Sequence, residues 1–301
     1  MNQGNLYAMA AYAIWGLFPV YFKLLRHIPA TQILCHRITW SFLLLLAVLL
    51  VRGQWSSLRS ALRAGVLPVY IAAAVLISGN WLTYVWAVNS GFVVQASLGY
   101  FINPLFSVLA AVIFLRERLR PWQWVPIGLA ALGVLYLTYS YGSPPWVALT
   151  LALTWAGYGL VKKIAPLGSL HGLTLETGLL LLPALIYLTG AGIIGKGVFL
   201  QGDTLSDALL VGTGVVTATP LFLFALAVRR IRLSTVGILQ YISPTIQFLL
   251  GVLVFREPFT SARLIGFGIV WIALIIFGIE GLAAYRSDPP HPDPLPKGRG
   301  G

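Results

Sequence analysis

The sequence predicts an all-α polytopic membrane protein of ten transmembrane helices, arranged as two inverted five-helix repeats. Three observations lead there. Of 301 residues, 58% are hydrophobic and only 9% charged, where an ordinary soluble domain carries about a quarter charged residues. Apolar segments recur along the chain, several of them near the roughly 20 residues a bilayer demands. One phrase is also written twice: "YFINPLFSVLAAVIFLRERL" at 100–119 returns as "QYISPTIQFLLGVLVFREPF" at 240–259.

The ten spans fall at 4–24, 31–51, 65–88, 93–115, 121–140, 144–162, 171–190, 206–228, 233–255 and 261–284. Turn and breaker residues separate them: "HIPAT", "NSGF", "YGSPP", "APLGS" and a Gly-rich stretch from Gly190 to Gly202. The start of the chain has no basic region or small-residue cleavage site, so the first apolar segment is expected to stay as a helix. With the N-terminus placed in the cytoplasm, the inner side carries fourteen Lys and Arg and the outer side five, with Arg37 inside a span. That imbalance predicts both termini inside. It also accounts for the net charge of +12, which in a soluble chain would point to nucleic acid; no nucleic-acid partner is expected here. Residues 285–301, ending in "DPPHPDPLPKGRGG", are too rich in Pro and Gly to pack and are expected to form a disordered cytoplasmic tail.

The echo runs in fixed register. Pro104, Arg116-Glu117 and Gly128 recur as Pro244, Arg256-Glu257 and Gly268, and Trp15 recurs as Trp155, all at an offset of 140. Each copy holds five spans, so the second enters the membrane from the opposite side. The domains are therefore 1–142, a first repeat, and 143–284, its inverted partner. Inverted repeats are typical of secondary transporters, which place substrate near the midplane between the halves.

"AAYAIWGLFPVYFKLL", "HRITWSF", "GNWLTYVWAVN", "ASLGYFINPL" and "RLSTVGILQYISPT" resemble the RarD-type branch of the EamA group in the drug/metabolite transporter superfamily. The resemblance covers about residues 4–283. It implies two EamA repeats, the bacterial inner membrane and export, while the aromatic positions and Arg37 described next fit small zwitterions, aromatic amino-acid-like metabolites or amphiphilic drug-like solutes as the cargo. Members of that branch are labelled permeases or chloramphenicol-sensitive proteins.

Candidate site residues lie on the spans. Tyr100, Asn103 and Ser107 share a face of the fourth, and Gln240, Ser243 and Gln247 stand at the matching positions of the ninth, as two polar walls of one cavity. Asn80 and Tyr84 are one turn apart in the third, with Trp81 between. Trp15 with Phe18, and Trp155 with Tyr158, form matched aromatic pairs suited to apolar or aromatic solutes. Substrate contacts are therefore expected from Trp15, Arg37, Asn80, Trp81, Tyr84, Tyr100, Asn103, Tyr158, Gln240 and Ser243. Arg37 lies inside the second span, where a guanidinium is costly and usually faces protein or water; its fork suits a carboxylate. Its neighbour His36 and the repeat equivalent Glu176 are both titratable, which makes them candidates for proton coupling, although Glu176 has Lys162 and Lys163 near enough for an ion pair.

Enzymatic chemistry has little to stand on. There is no HExxH or GxSG motif, the aspartates lie in a loop, the tail or, for Asp207, the very start of the eighth span, and "GAGIIGKG" (190–197) puts Gly197 where a nucleotide loop needs a hydroxyl. Cys35 is the only cysteine, so neither a disulfide nor a thiolate cluster is available. No metal or cofactor is expected. The partners are a small-molecule substrate, membrane lipids and protons; a channel or a lipid scramblase is the alternative to a carrier.

Overall fold

The computed structural model describes residues 2–254, apart from 64, 91, 142–144 and 202, together with 265, 268, 269, 271–273, 275, 276, 279 and 280. Among the described residues the regular structure is helical, with no strand. The helices are α1 (Gln3–Leu24), α2 (Ala30–Val51), α3 (Trp55–Arg63), α4 (Leu67–Asn89), α5 (Val93–Phe114), α6 (Trp124–Tyr141), α7 (Trp146–Ile164), α8 (Ser169–Ile193), α9 (Thr204–Arg230), α10 (Leu233–Leu239) and α11 (Ile242–Leu249). A 3₁₀ turn (Pro121–Gln123) leads into α6, and a π-helical turn (Leu250–Val254) continues α11. Among the described residues five stretches are long and apolar enough to cross a membrane: Ala30–Val51, Leu67–Ala87, Ser169–Ile193, Thr204–Arg230 and Leu233–Val254. The predicted tenth span and the tail, 285–301, lie largely or wholly outside the described residues.

Helix ends follow local chemistry. The Asn2 side chain accepts a hydrogen bond from Gly4 N at 3.0 Å and opens α1. Asp203 opens α9, with Asp207 in the first turn and Arg229 and Arg230 in the last, all of the sign the helix dipole favours. Hydrogen bonds from Ser206 hold the Asp203 carboxyl below the usual carboxylate range.

Two elements depart from the sequence reading. Residues 55–63, read as loop, form the short helix α3: Leu58 is buried beneath it, while Trp55 and Leu62 are exposed. At nine residues it is too short for a span, and its polar Ser and Arg positions concealed its period. The predicted ninth span is broken between α10 and α11 at Gln240-Tyr241. Pro244 explains the position, since it can give no N–H to the carbonyl of Gln240 and its ring crowds that group. Ser243 N bonds Gln240 O instead, at 3.1 Å. Pro104 stands in the same register, yet α5 runs through it unbroken.

The packing has a pattern. α1 packs on α9 as α7 packs on α4; α1 meets α11 as α7 meets α5; α2 meets α9 as α8 meets α4; and α2 packs directly on α8. Residues 140 apart touch one another. The Trp15 and Trp155 rings meet edge-on at 5.3 Å, and Tyr241 donates to the carbonyl of Phe101 at 3.1 Å. Outside, Leu135, Leu153, Leu182 and Ile186 are exposed, a surface made for lipid, while Ser41, Thr213 and Thr217 are buried between helices.

One face of the bundle is tied shut by charged groups. The Glu117 carboxylate accepts from Leu233 N (2.8 Å), Ser234 N (3.1 Å) and the Ser234 hydroxyl (2.6 Å) at the start of α10. Lys163 donates to Ile231 O at 2.6 Å, and Arg229 to Ala165 O and Leu167 O at 2.8 and 2.5 Å.

Close approach of α2 and α9 depends on Gly214. A Cβ there would stand 2.6 Å from the carbonyl carbon of Trp40, and Ser41 donates to Gly214 O at 3.2 Å across the same seam. Gly214→Ala therefore has to push the two helix backbones away from each other rather than rotate a side chain. We expect it to cost about 1–3 kcal/mol, read as a lower thermal midpoint of the detergent-purified chain, with Gly190→Ala, in open space, as control.

Candidate functional site

A cavity of about 350 Å³ lies between the two halves, at the lower end of the roughly 300–1,000 Å³ usual for small-molecule sites. Its wall takes Tyr12, Trp15, Phe18 and Phe22 from α1, Arg37 from α2, Asn80, Trp81 and Tyr84 from α4, and Tyr100 and Asn103 from α5. The second half supplies Trp155 from α7, Leu221 from α9, and Gln240, Ser243, Pro244 and Gln247 at the α10–α11 break. The lining comes from the C-terminal portions of α1 and α4 and the N-terminal portions of α2 and α5. The cavity thus occupies the half of the bundle that carries the 25–29 connection, away from the face that Glu117 ties shut.

Among the described residues Arg37 is its one charged lining group. The guanidinium carbon lies 5.0 Å from the centroid of Trp81, 5.3 Å from Phe22 and 5.7 Å from Phe18, within cation–π range. Nε donates to the Thr217 hydroxyl at 2.9 Å. No carboxylate pairs with it among the described residues, whose ion pairs are His27–Asp203, Arg120–Glu280 and Lys162–Glu176. The fork is therefore held in orientation by Thr217 and three rings, with its terminal N–H groups left for another partner.

The break between α10 and α11 delivers amides to the wall. Trp155 Nε1 donates to Gln240 Oε1 at 3.2 Å, and Gln247 Nε2 donates to Trp15 O at 3.2 Å. Asn80 Nδ2 donates to Leu151 O at 2.9 Å and to the Thr154 hydroxyl at 3.0 Å, so it joins α4 to α7 while lining the cavity. The rings of Tyr84 and Tyr100 meet at 6.1 Å.

Nine of the ten residues expected at the substrate thus line one cavity. Tyr158 does not. It is fully buried behind Trp155, stacks on Phe224 at 6.0 Å, and donates to Glu176 Oε2 at 2.9 Å. Glu176 also accepts from Lys162 Nζ at 2.8 Å, and both of that pair are buried. His36 lies outside the cavity too, buried against Phe199 with Nδ1 accepting from Trp40 Nε1 at 3.3 Å. Sequence reasoning did not assign Tyr12, Phe22 or Thr217 to the site. The signal for the first two was present: Tyr12, Trp15, Phe18 and Phe22 follow the helical period down one face of α1. Thr217 carried none.

A multi-pass helical membrane protein with an aromatic cavity enclosed by two similarly packed halves has the build of a membrane transporter. The chain belongs to the EamA-like transporter family, whose model matches residues 2–139 and again 144–279. The uncharacterized transporter YojE of Bacillus subtilis strain 168 is 44% identical over 294 residues, covering 96% of this chain and 98% of that protein. Protein RarD of Streptomyces exfoliatus is 45% identical over 286 residues, covering 95% and 91%. A solved crystal structure whose name states no function aligns with TM-score 0.69 at 18% identity over 92% of this chain and 97% of its own, a likeness of fold alone.

Proposed function

We propose that the protein is a secondary carrier that exports small amphipathic metabolites or drug-like solutes across the bacterial inner membrane by alternating access. In this reading ten helices form two inverted five-helix repeats, 1–142 and 143–284, and both termini are cytoplasmic. The observation that carries it is a cavity of about 350 Å³ walled by both halves, with the opposite face closed. The packing supports inversion, because exchanging the halves maps the main helix contacts of α1, α2, α4, α5, α7, α8 and α9 onto one another, and residues that touch their own equivalents, such as Trp15 and Trp155, belong on the axis relating them. Such an assembly has a second arrangement with the closed and open faces exchanged.

Arg37 receives a carboxylate of the solute, and the rings around it take the apolar body. Proton coupling is assigned to Glu176, which is linked through Tyr158 and Trp155 to the cavity wall; His36, its repeat equivalent, is the second candidate. Counterflow in proteoliposomes tests the carrier: trans substrate should accelerate labelled flux, whereas a channel or scramblase would show no such acceleration. For orientation, Ser90→Cys in a Cys35→Ser background should react with an impermeant thiol reagent added to intact cells, since Ser90 is exposed in the connection after α4. Reaction only after the inner face is opened would reverse the assignment.

A further inference from the structure

The cavity has a second pole. Most polar groups around it are already engaged: Gln240 by Trp155, Gln247 by Trp15 O, and Asn80 by α7. Two are not. Tyr12 is 1% exposed and Asn103 5% exposed, both line the cavity, and neither the Tyr12 hydroxyl nor Asn103 Oδ1 has a hydrogen-bond partner among the described residues. A buried polar group left unpaired is costly, so such groups mark places where something else completes the bonding. Tyr12 lies six residues from Phe18 on α1, about 9 Å of helix rise from the ring against which Arg37 rests. The cavity wall between these levels is aromatic, with Trp15 and Trp155 in contact.

The charges are equally uneven. Arg37 is the only lining cation, and no Asp or Glu lines the cavity among the described residues. A solute ammonium would meet ring faces but no counter-ion, and would add its charge to that of Arg37. A neutral donor or acceptor meeting Tyr12 or Asn103 has no charge to desolvate.

The geometry points to an amphipathic monocarboxylate as the ligand class: an acid group at Arg37, an aromatic or apolar body, and an uncharged hydrogen-bonding group, such as a hydroxyl or amide, for the unpaired Tyr12 hydroxyl, with Asn103 as a further neutral partner on the wall. This rests on the carboxylate reading of Arg37 and adds the neutral pole to it. Amines are disfavoured and zwitterions rank below simple acids.

Three probes separate the poles: 3-(4-hydroxyphenyl)propionate, 3-phenylpropionate and tyramine. Binding to the full chain in nanodiscs is read by quenching of tryptophan fluorescence, since Trp15, Trp81 and Trp155 line the site. The hydroxylated acid should bind about five- to tenfold more tightly than the plain acid, as one extra neutral hydrogen bond predicts. Tyramine should be the weakest of the three. Tyr12→Phe should bring the ratio of the two acids to about one, and Arg37→Gln should weaken both. Equal binding of the two acids by the unaltered protein overturns the neutral pole and leaves the carboxylate reading standing. Tyramine binding as tightly as the hydroxylated acid overturns the charge assignment. If neither acid binds at millimolar concentration, both readings fall together.

Discussion

Arg37→Lys should leave the protein folded and in the membrane but weaken exchange of a carboxylated aromatic solute by about ten- to hundredfold. Arg37 offers five N–H donors on a planar fork, of which Nε is committed to Thr217. The terminal nitrogens remain to grip two carboxylate oxygens side by side. A lysine keeps the charge but offers a flexible point donor, so it loses both the paired bonds and the stacking among Phe18, Phe22 and Trp81. A hydrogen bond to a charged group is worth about 1.5–3 kcal/mol, and each 1.4 kcal/mol is about tenfold in affinity. The measurement is half-saturating concentration in proteoliposome counterflow, at matched protein content. Thr217→Val should move the same parameter by a smaller factor, because it frees the fork without removing it. Unchanged kinetics in Arg37→Ala would assign the guanidinium to packing alone and end the carboxylate reading.

Much of this site was legible because membrane solvent simplifies the reading. Arg37 stood out because a charge within an apolar span needs a reason, and Asn80, Asn103 and Gln240 because polar groups there must find partners. The repeat register pointed to Trp15 with Trp155, and the two rings are in contact. Other features were hidden for definite reasons. Thr217 is one of several threonines on α9, most of whose kind simply bond back along their own helix, as Thr174 and Thr177 do; nothing local marks the one that turns to Arg37. Tyr158 was misplaced because its aromatic pairing with Trp155 is real, at 5.9 Å, yet spacing cannot tell which ring of a pair faces the cavity and which stands behind it. The break at Gln240 was half visible. Pro244 permits it, but Pro104 in the same register does not produce one, so the outcome depends on packing that the sequence states nowhere.

Removing one member of the buried pair Lys162–Glu176 should be the most damaging single change to stability. The two lie 2.8 Å apart with almost no solvent access, and Tyr158 donates to the second carboxylate oxygen at 2.9 Å. Lys162→Met strands the carboxylate, and Glu176→Gln strands the ammonium. Either should cost about 3–5 kcal/mol, the usual loss when one partner of a buried ion pair is removed. The double variant Lys162→Met/Glu176→Gln leaves no unpaired charge and keeps an acceptor for Tyr158, so it should recover most of that loss, because neutral replacements of a buried pair are often tolerated. Thermal unfolding of the four proteins gives the coupling directly as the departure from additivity. The double variant also isolates the proposed coupling role, since it removes the titratable carboxylate without the instability of the single change. In proteoliposomes it should still exchange substrate but no longer respond to an imposed pH gradient. If it responds as fully as the unaltered protein, the pair serves only to pin α7 to α8, and the proton is carried elsewhere.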